Sequence, residues 1–191
     1  MEKIVDMKLM RKIVITLILI LSACAPHKID IAGLDVYIKA VPFFPQEDNQ
    51  CGPSSLAMVI DYWGGRVSPD DIAKEIFSKG AAGTLNLDML IYPRERGFDA
   101  RQFDGTLDLL KDMLSKGYPV IVLVDYGIAF YQIDHYMVVI GYGKGGIIAH
   151  SGREADKFIP YDEFMRIWKR GDYWMLLIKP KGQEVDKRDG R

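Results

Sequence analysis

Cysteine is scarce in this 191-residue chain, where Cys24 and Cys51 are the only two. That count excludes a disulfide-rich scaffold and most cysteine-based metal sites, leaving one possible bridge or two thiols with separate jobs. A surplus of positive charge is also missing. With 25 Lys and Arg against 26 Asp and Glu the formal net charge is -1, whereas a nucleic-acid binder needs clustered cations to neutralise phosphates, so no nucleic-acid partner is expected. Histidine is limited to His27, His135 and His150. No two of them stand at ligand spacing with a cysteine or carboxylate that fits the predicted strands, so no metal and no other cofactor is expected. The apolar run from Ile13 to Leu21, interrupted only by Thr16, is far short of the roughly 20 residues that a helix needs to cross a bilayer. Internal repeats are absent. What the chain does have is 49% hydrophobic residues, enough to build the core of one ordinary domain but hardly two.

The amino terminus reads as an address. Lys8, Arg11 and Lys12 precede the apolar run, and Leu21-Ser22-Ala23-Cys24 follows it, which is the order of an export signal with a small-residue cleavage site. Translation starts at Met1 or at Met7, which opens a compact signal of its own. The last four residues resemble the lipobox of bacterial lipoproteins. This resemblance implies lipidation of the Cys24 thiol, cleavage before it and acylation of the new amino terminus, and several acyl chains make membrane attachment stable. The expected location is the cell envelope, lipid-anchored. Because Ala25 and not Asp follows the cysteine, a two-membrane bacterium would place the protein on the outer membrane, facing the periplasm.

The organisation that follows is residues 1–23 as signal peptide, 24–34 as tether, 35–180 as the folded domain and 181–191 as a charged tail with little to bury. Asp35 to Phe44, with Val36, Ile38 and Val41 before Pro42 and Pro45, predicts an edge strand running into a loop. Pro53, then Leu56, Val59, Ile60 and Trp63 up to Gly64-Gly65, predict a helix with Cys51 at its amino end. Ser68 caps a second helix reaching about Lys79, and a third lies between Leu85 and Arg96, shortened or kinked by Pro93. Leu107 to Lys116 is a fourth. Strands are expected at Pro119–Val124, Tyr136–Tyr142 and Gly146–His150, then a helix at Tyr161–Lys169 and a closing strand at Tyr173–Ile178. Helices first and antiparallel strands later give an α+β domain.

Cys51 is the sharpest chemical feature. A thiol at a helix amino terminus faces unpaired N–H groups and the positive end of the dipole, both of which favour the thiolate. An imidazole partner must come from three histidines. His27 lies in the tether, His150 ends a strand, and His135 stands at the head of a buried hairpin where a sheet end can hold it rigidly. His135 is therefore the expected base, in the cysteine-first, histidine-later order of acyl-transfer enzymes.

Val41-Pro42-Phe43-Phe44-Pro45-Gln46, then Gln50-Cys51-Gly52-Pro53-Ser54-Ser55-Leu56-Ala57-Met58, then His135-Tyr136-Met137-Val138-Val139-Ile140-Gly141-Tyr142 resemble the C39 and C39-like cysteine peptidases. The resemblance covers about Val36 to Pro180. It implies a papain-like fold, with amino-terminal helices packed on a carboxy-terminal antiparallel sheet, Cys51 as nucleophile and His135 as general base and then general acid. It also implies a glutamine in the oxyanion hole, with Gln46 the natural match beside the backbone N–H of Cys51; its offset of five residues, against six in many relatives, keeps Gln50 open. At the third triad position the family usually has Asp or Asn, but this chain reads His150-Ser151-Gly152, so Ser151 is the candidate. That segment, with Phe164 and Trp168, is closer to a lipoprotein subgroup than to the exporter-linked peptidases.

Exporter-linked C39 domains cut bacteriocin leaders after a double glycine, fused to a membrane segment and an ATPase. Neither partner is found in this chain, so leader processing and ATP binding are not expected. The reading is a membrane-anchored lipoprotein cysteine peptidase that hydrolyses a peptide or amide bond of a peptide or protein substrate through an acyl-enzyme. The alternative is a catalytically weak or inactive papain-fold binding or assembly lipoprotein. Transfer of the acyl group to an amine other than water would use the same residues.

Overall fold

A computed structural model describes residues 33–47, 49–80 and 83–182. Cys24, His27, the signal and most of the tail lie outside these residues. The chain begins with β1 (Leu34–Tyr37) and then three helices, α1 (Cys51–Tyr62), α2 (Pro69–Ile76) and α3 (Asn86–Glu95). After β2 (Phe98–Asp104) and α4 (Leu107–Ser115) come β3 (Val120–Asp125), β4 (Asp134–Gly143), β5 (Gly146–Ser151) and β6 (Glu154–Pro160), then α5 (Tyr161–Arg170) and β7 (Trp174–Pro180). All seven strands form one sheet in the order β2-β7-β3-β4-β5-β6, every pairing antiparallel. β1 pairs with the end of β4 that β3 does not reach. This is the α+β, papain-like arrangement that the sequence implies.

Local chemistry explains the helices. Ser68 accepts the Asp71 N–H and Thr106 accepts the Leu109 N–H, each capping the helix that follows it. α2 ends at Ile76, short of the expected Lys79, because Phe77 turns extended and Ser78 exchanges backbone hydrogen bonds with Gly83. Pro93 sits in the last turn of α3, where the hydrogen bond it removes costs the helix little.

Two strands carry no apolar signal in the sequence. β2 (Phe-Asp-Ala-Arg-Gln-Phe-Asp) and β6 (Glu-Ala-Asp-Lys-Phe-Ile-Pro) stand at the two ends of this strand order and have one fully buried residue each, so alternation is weak and charge is tolerated. The carboxy-terminal strand is the converse case. β7 does not close the sheet at an edge but inserts between β2 and β3, and its residues Trp174 to Lys179 are all buried. Tyr136 to Gly141 of β4 are buried on consecutive positions, which requires cover on both faces. α1 supplies much of it, buried from Gly52 to Ile60 and packed on β4 and β3, while α5 packs on β3, β5 and β6. Burial of α1 and β4 against each other fixes the relation between Cys51 at the head of one and His135 at the head of the other.

Candidate active site

Cys51 is the first residue of α1, with Gln50 at the cap and the Ser54 N–H bonded to the Gln50 carbonyl. Gly52 is needed for close approach: a Cβ there would lie 2.8 Å from Cβ of Thr84 and 3.1 Å from the sulfur of Met89. The segment before α3 therefore presses against the helix start. Cys51 is partly exposed and unbridged. Burial pushes its thiol pKa up, and the N–H groups of Tyr136, Gly52 and Cys51 itself work against that by bonding the sulfur. The helix-start expectation has the sign of those local donors right, but desolvation outweighs them.

Tyr136 explains how the sulfur comes to the sheet. On β4 it pairs with Leu123 of β3, while β5 joins β4 only from Val138 onward. The main chain of Tyr136 is thus left without a ladder partner on the β5 side, and other groups take it up. Its N–H counters the burial-driven rise of the Cys51 thiol pKa, and its carbonyl accepts a hydrogen bond from Nε2 of Gln46 at 3.2 Å. Gln46 and Cys51 thus meet on one residue of β4, next to His135.

Gln46 is 6% exposed and clamped to Gly152: its N–H donates to the Gly152 carbonyl and its Oε1 accepts the Gly152 N–H, both at 2.9 Å. The second proton of Nε2 reaches Ser55 Oγ only at 3.4 Å, a long contact that is readily given up. Gln50 has no side-chain cap bond to α1 and lies outside this clamp.

His135 is the second residue of β4, and its Nε2 lies 3.0 Å from Oγ of Ser151, the last residue of β5. The Tyr126 ring tilts against the imidazole at a centroid distance of 5.7 Å. Burial, helped by the charge of Lys157, pulls the His135 pKa down to about 4. At neutral pH the ring is therefore uncharged. With Nε2 protonated toward Ser151, Nδ1 holds the lone pair of a base. His150 is occupied otherwise. Its Nε2 donates to the Val41 carbonyl at 3.2 Å, its Nδ1 accepts the Asp156 N–H at 3.1 Å, and Phe43 packs on its ring. It secures the loop that carries Gln46.

Between β3 and β4 runs the uncharged stretch from Tyr126 to Ile133, with Phe130 98% exposed. Asp125, buried at its base, accepts N–H groups of Gly127 and Ile133 and pairs with Arg170 at 2.8 Å. These bonds outweigh burial and hold the Asp125 carboxyl below the usual range. Sequence reasoning missed Tyr126, Asp125 and the main chain of Tyr136. A buried acid opening an uncharged loop could have flagged Asp125; nothing local marks Tyr126 or a backbone group. Among the described residues no cluster of three His, Cys, Asp or Glu is arranged to hold a metal ion.

The family model of the Peptidase_C39 like family matches residues 38–170. Among solved structures, the fold is similar to the peptidase domain of Streptococcus ComA, a bifunctional ABC transporter of a quorum-sensing pathway (TM-score 0.62, 23% identity, covering 74% of this chain and 100% of that one). A C39-like peptidase from Bacillus anthracis is similar at TM-score 0.64 and 18% identity, covering 76% and 98%. A double glycine motif protease of an AMS/PCAT transporter, solved with its leader peptide, is similar at TM-score 0.63 and 24% identity, covering 77% and 96%. No curated protein matches the chain.

Proposed function

Because the chain belongs to the Peptidase_C39 like family, we propose that it is a cysteine peptidase held at the cell envelope by a lipid on Cys24 and acting on peptide or protein substrates. The observation that carries the catalytic part is that Gln46 bonds the Tyr136 carbonyl at 3.2 Å beside His135, whose imidazole Ser151 holds at 3.0 Å, while Cys51 heads the helix packed on that strand.

Both pKa directions favour neutral partners, a thiol on Cys51 and an imidazole on His135. The proton therefore moves during attack. Nδ1 of His135 takes it from the thiol as the sulfur adds to the scissile carbonyl. Gln46 turns the proton now spent on Ser55 toward the developing oxyanion, with the Cys51 N–H as second donor, an arrangement worth about 2.7–4 kcal/mol per donor. The imidazolium then gives its proton to the leaving amine as the acyl-enzyme forms. Water, deprotonated by the same nitrogen, releases the acid and restores the thiol.

A neutral Ser151 in place of the family's carboxylate or amide supports a second reading, a binding or assembly lipoprotein with little turnover. One experiment separates the two. The full chain and Cys51→Ala and His135→Ala variants are incubated with a mixed peptide library, and products are read by mass spectrometry. Cleavage lost in both variants supports the peptidase. Absence of any cleavage by the unaltered chain, together with identical iodoacetamide alkylation of Cys51 with and without His135, would sink it.

A further inference from the structure

We propose that the tip of the loop between β3 and β4, Ile128 to Ile133, seats in the interfacial layer of a lipid bilayer and so holds the Cys51–His135 site at the membrane surface. The proposal rests on the lipid anchor of the proposed function for bringing a bilayer within reach.

The tip is apolar and turned outward. Ile128 is 83% exposed, Phe130 98%, Tyr131 67% and Ile133 50%, and no charged residue falls between Asp125 and Asp134. A cluster of large apolar side chains left in water marks a contact with a protein or a membrane. Side chains this exposed stand on a convex tip and form no walls around a peptide side chain, whereas apolar groups of a ligand are held in concave sites. A bilayer has no fixed shape to match and accepts a convex tip. Tyr131, apolar in body with a polar hydroxyl, suits the headgroup level.

The backbone of the loop favours the same occupant. Main-chain polar groups are costly to place in lipid unless they already have partners. The Tyr131 N–H bonds the Ile128 carbonyl and the Tyr126 N–H bonds the Ile133 carbonyl, both at 3.0 Å. Asp125 takes the N–H groups of Gly127 and Ile133. Arg170 donates to the carbonyls of Ala129 and Tyr131, each at 3.4 Å, while pairing with Asp125 at 2.8 Å. Gly127 permits this closure, since a Cβ there would lie 1.8 Å from the Tyr131 carbonyl oxygen. Much of the polar main chain is thus spent inward while the apolar side chains point out. Asp134, exposed at the far end of the stretch, limits the depth, because a carboxylate does not follow apolar side chains into hydrocarbon.

The anchor can reach. Leu34 pairs with Gly143, at the end of β4 opposite to the loop. From Gly143 back to Asp134 the strand covers about 31 Å at about 3.4 Å per residue, and the ten residues from Cys24 to Gly33 span at most about 33–36 Å. A lipid on Cys24 and the loop tip can therefore meet the same bilayer. His135 follows Ile133 by two residues, so a seated tip brings the site to the surface, where its substrates are peptide segments lying at the membrane face.

The test reads the depth of the tip directly. The full chain is purified in detergent and reconstituted into phosphatidylcholine vesicles, with or without bromine on the acyl chains. An environment-sensitive thiol fluorophore is placed at Gln132→Cys, or at Arg101→Cys on the exposed face of β2 as the control, both in a Cys51→Ala background. Emission from position 132 is expected to shift to the blue and to be quenched by the brominated lipid, while emission from position 101 stays unchanged. Adding Ile128→Asp and Phe130→Asp, at sites too exposed to matter to folding, should abolish the quenching at 132. Equal responses at 132 and 101, or quenching that survives both aspartates, overturns the proposal. So does an unquenched tip whose two aspartates instead raise the KM for a peptide in detergent, which assigns it to substrate, or break up a dimer in sedimentation, which assigns it to a second copy. The mass of the purified chain reports acylation separately: a chain without acyl groups refutes the anchor, and the contrast between positions 132 and 101 still decides the tip.

Discussion

Nε2 of His135 and Oγ of Ser151 face each other across neighbouring strands at 3.0 Å. A serine there orients the imidazole but offers no charge to balance imidazolium, and burial then holds the His135 pKa at about 4. Replacing Ser151 by Asp supplies that charge. The His135 pKa is expected to rise by about 1–3 units, so the acid limb of Cys51 alkylation moves to higher pH. An unmoved limb in Ser151→Asp would show that His135 does not govern the thiol.

Stability should respond to acid in two stages. Between its ordinary value of 6.5 and about 4, His135 takes a proton in the unfolded chain but not in the folded one, so stability falls as pH drops through that window, by up to about 3 kcal/mol. His150, whose pKa burial also lowers, acts in the same direction. Asp125 acts later: its depressed pKa gives stability that is present above the usual carboxylate range and is lost as pH falls below it. Urea unfolding from pH 8 to 2 checks this, with a flatter slope between pH 7 and 4 expected in His135→Gln.

Gly52→Ala is expected to disturb the site from within. The added Cβ would meet Cβ of Thr84 at 2.8 Å, so the helix start or the 83–85 segment must shift. A cost of about 1–3 kcal/mol is expected, with slower alkylation of Cys51 even where the protein stays folded. Thermal unfolding together with the alkylation rate tests both halves.

Gln46 should separate two chemistries. Alkylation by iodoacetamide forms no oxyanion, whereas acylation by a peptide does. Gln46→Ala is therefore expected to slow peptide turnover by about 100-fold to 1000-fold while changing alkylation by only about threefold or less. Equal losses in the two assays would assign Gln46 to structure, through its clamp on Gly152.

For the anchor, Cys24→Ala is expected to move the protein from the membrane fraction to the soluble fraction, and metabolic labelling with a fatty acid should disappear with it. Retention of both label and membrane association would place the lipid elsewhere.

Legibility followed burial. Strands β3, β4 and β7 could be read because they are buried on both faces and write themselves as apolar runs, whereas β2 and β6 at the sheet edges bury too little to leave a pattern. Cys51 at a helix start was visible from Pro53 and the helical spacing behind it. The sign of its pKa shift was not, because desolvation is set by groups from distant parts of the chain.

By itself the sequence determined the α+β succession and the candidates Cys51, His135, Gln46 and Ser151, since each rests on residues close together in the chain. Tertiary structure decided what those residues do to one another. It gave the Tyr136 main chain to Cys51 and Gln46 because β5 stops short of it. It spent both nitrogens of His150 on backbone groups, and it brought the Tyr126 ring against His135 and Ser151 to its Nε2. Hydrogen bonds and burial depend on distance in space, and strand pairing sets that distance over sequence separations that no local pattern encodes.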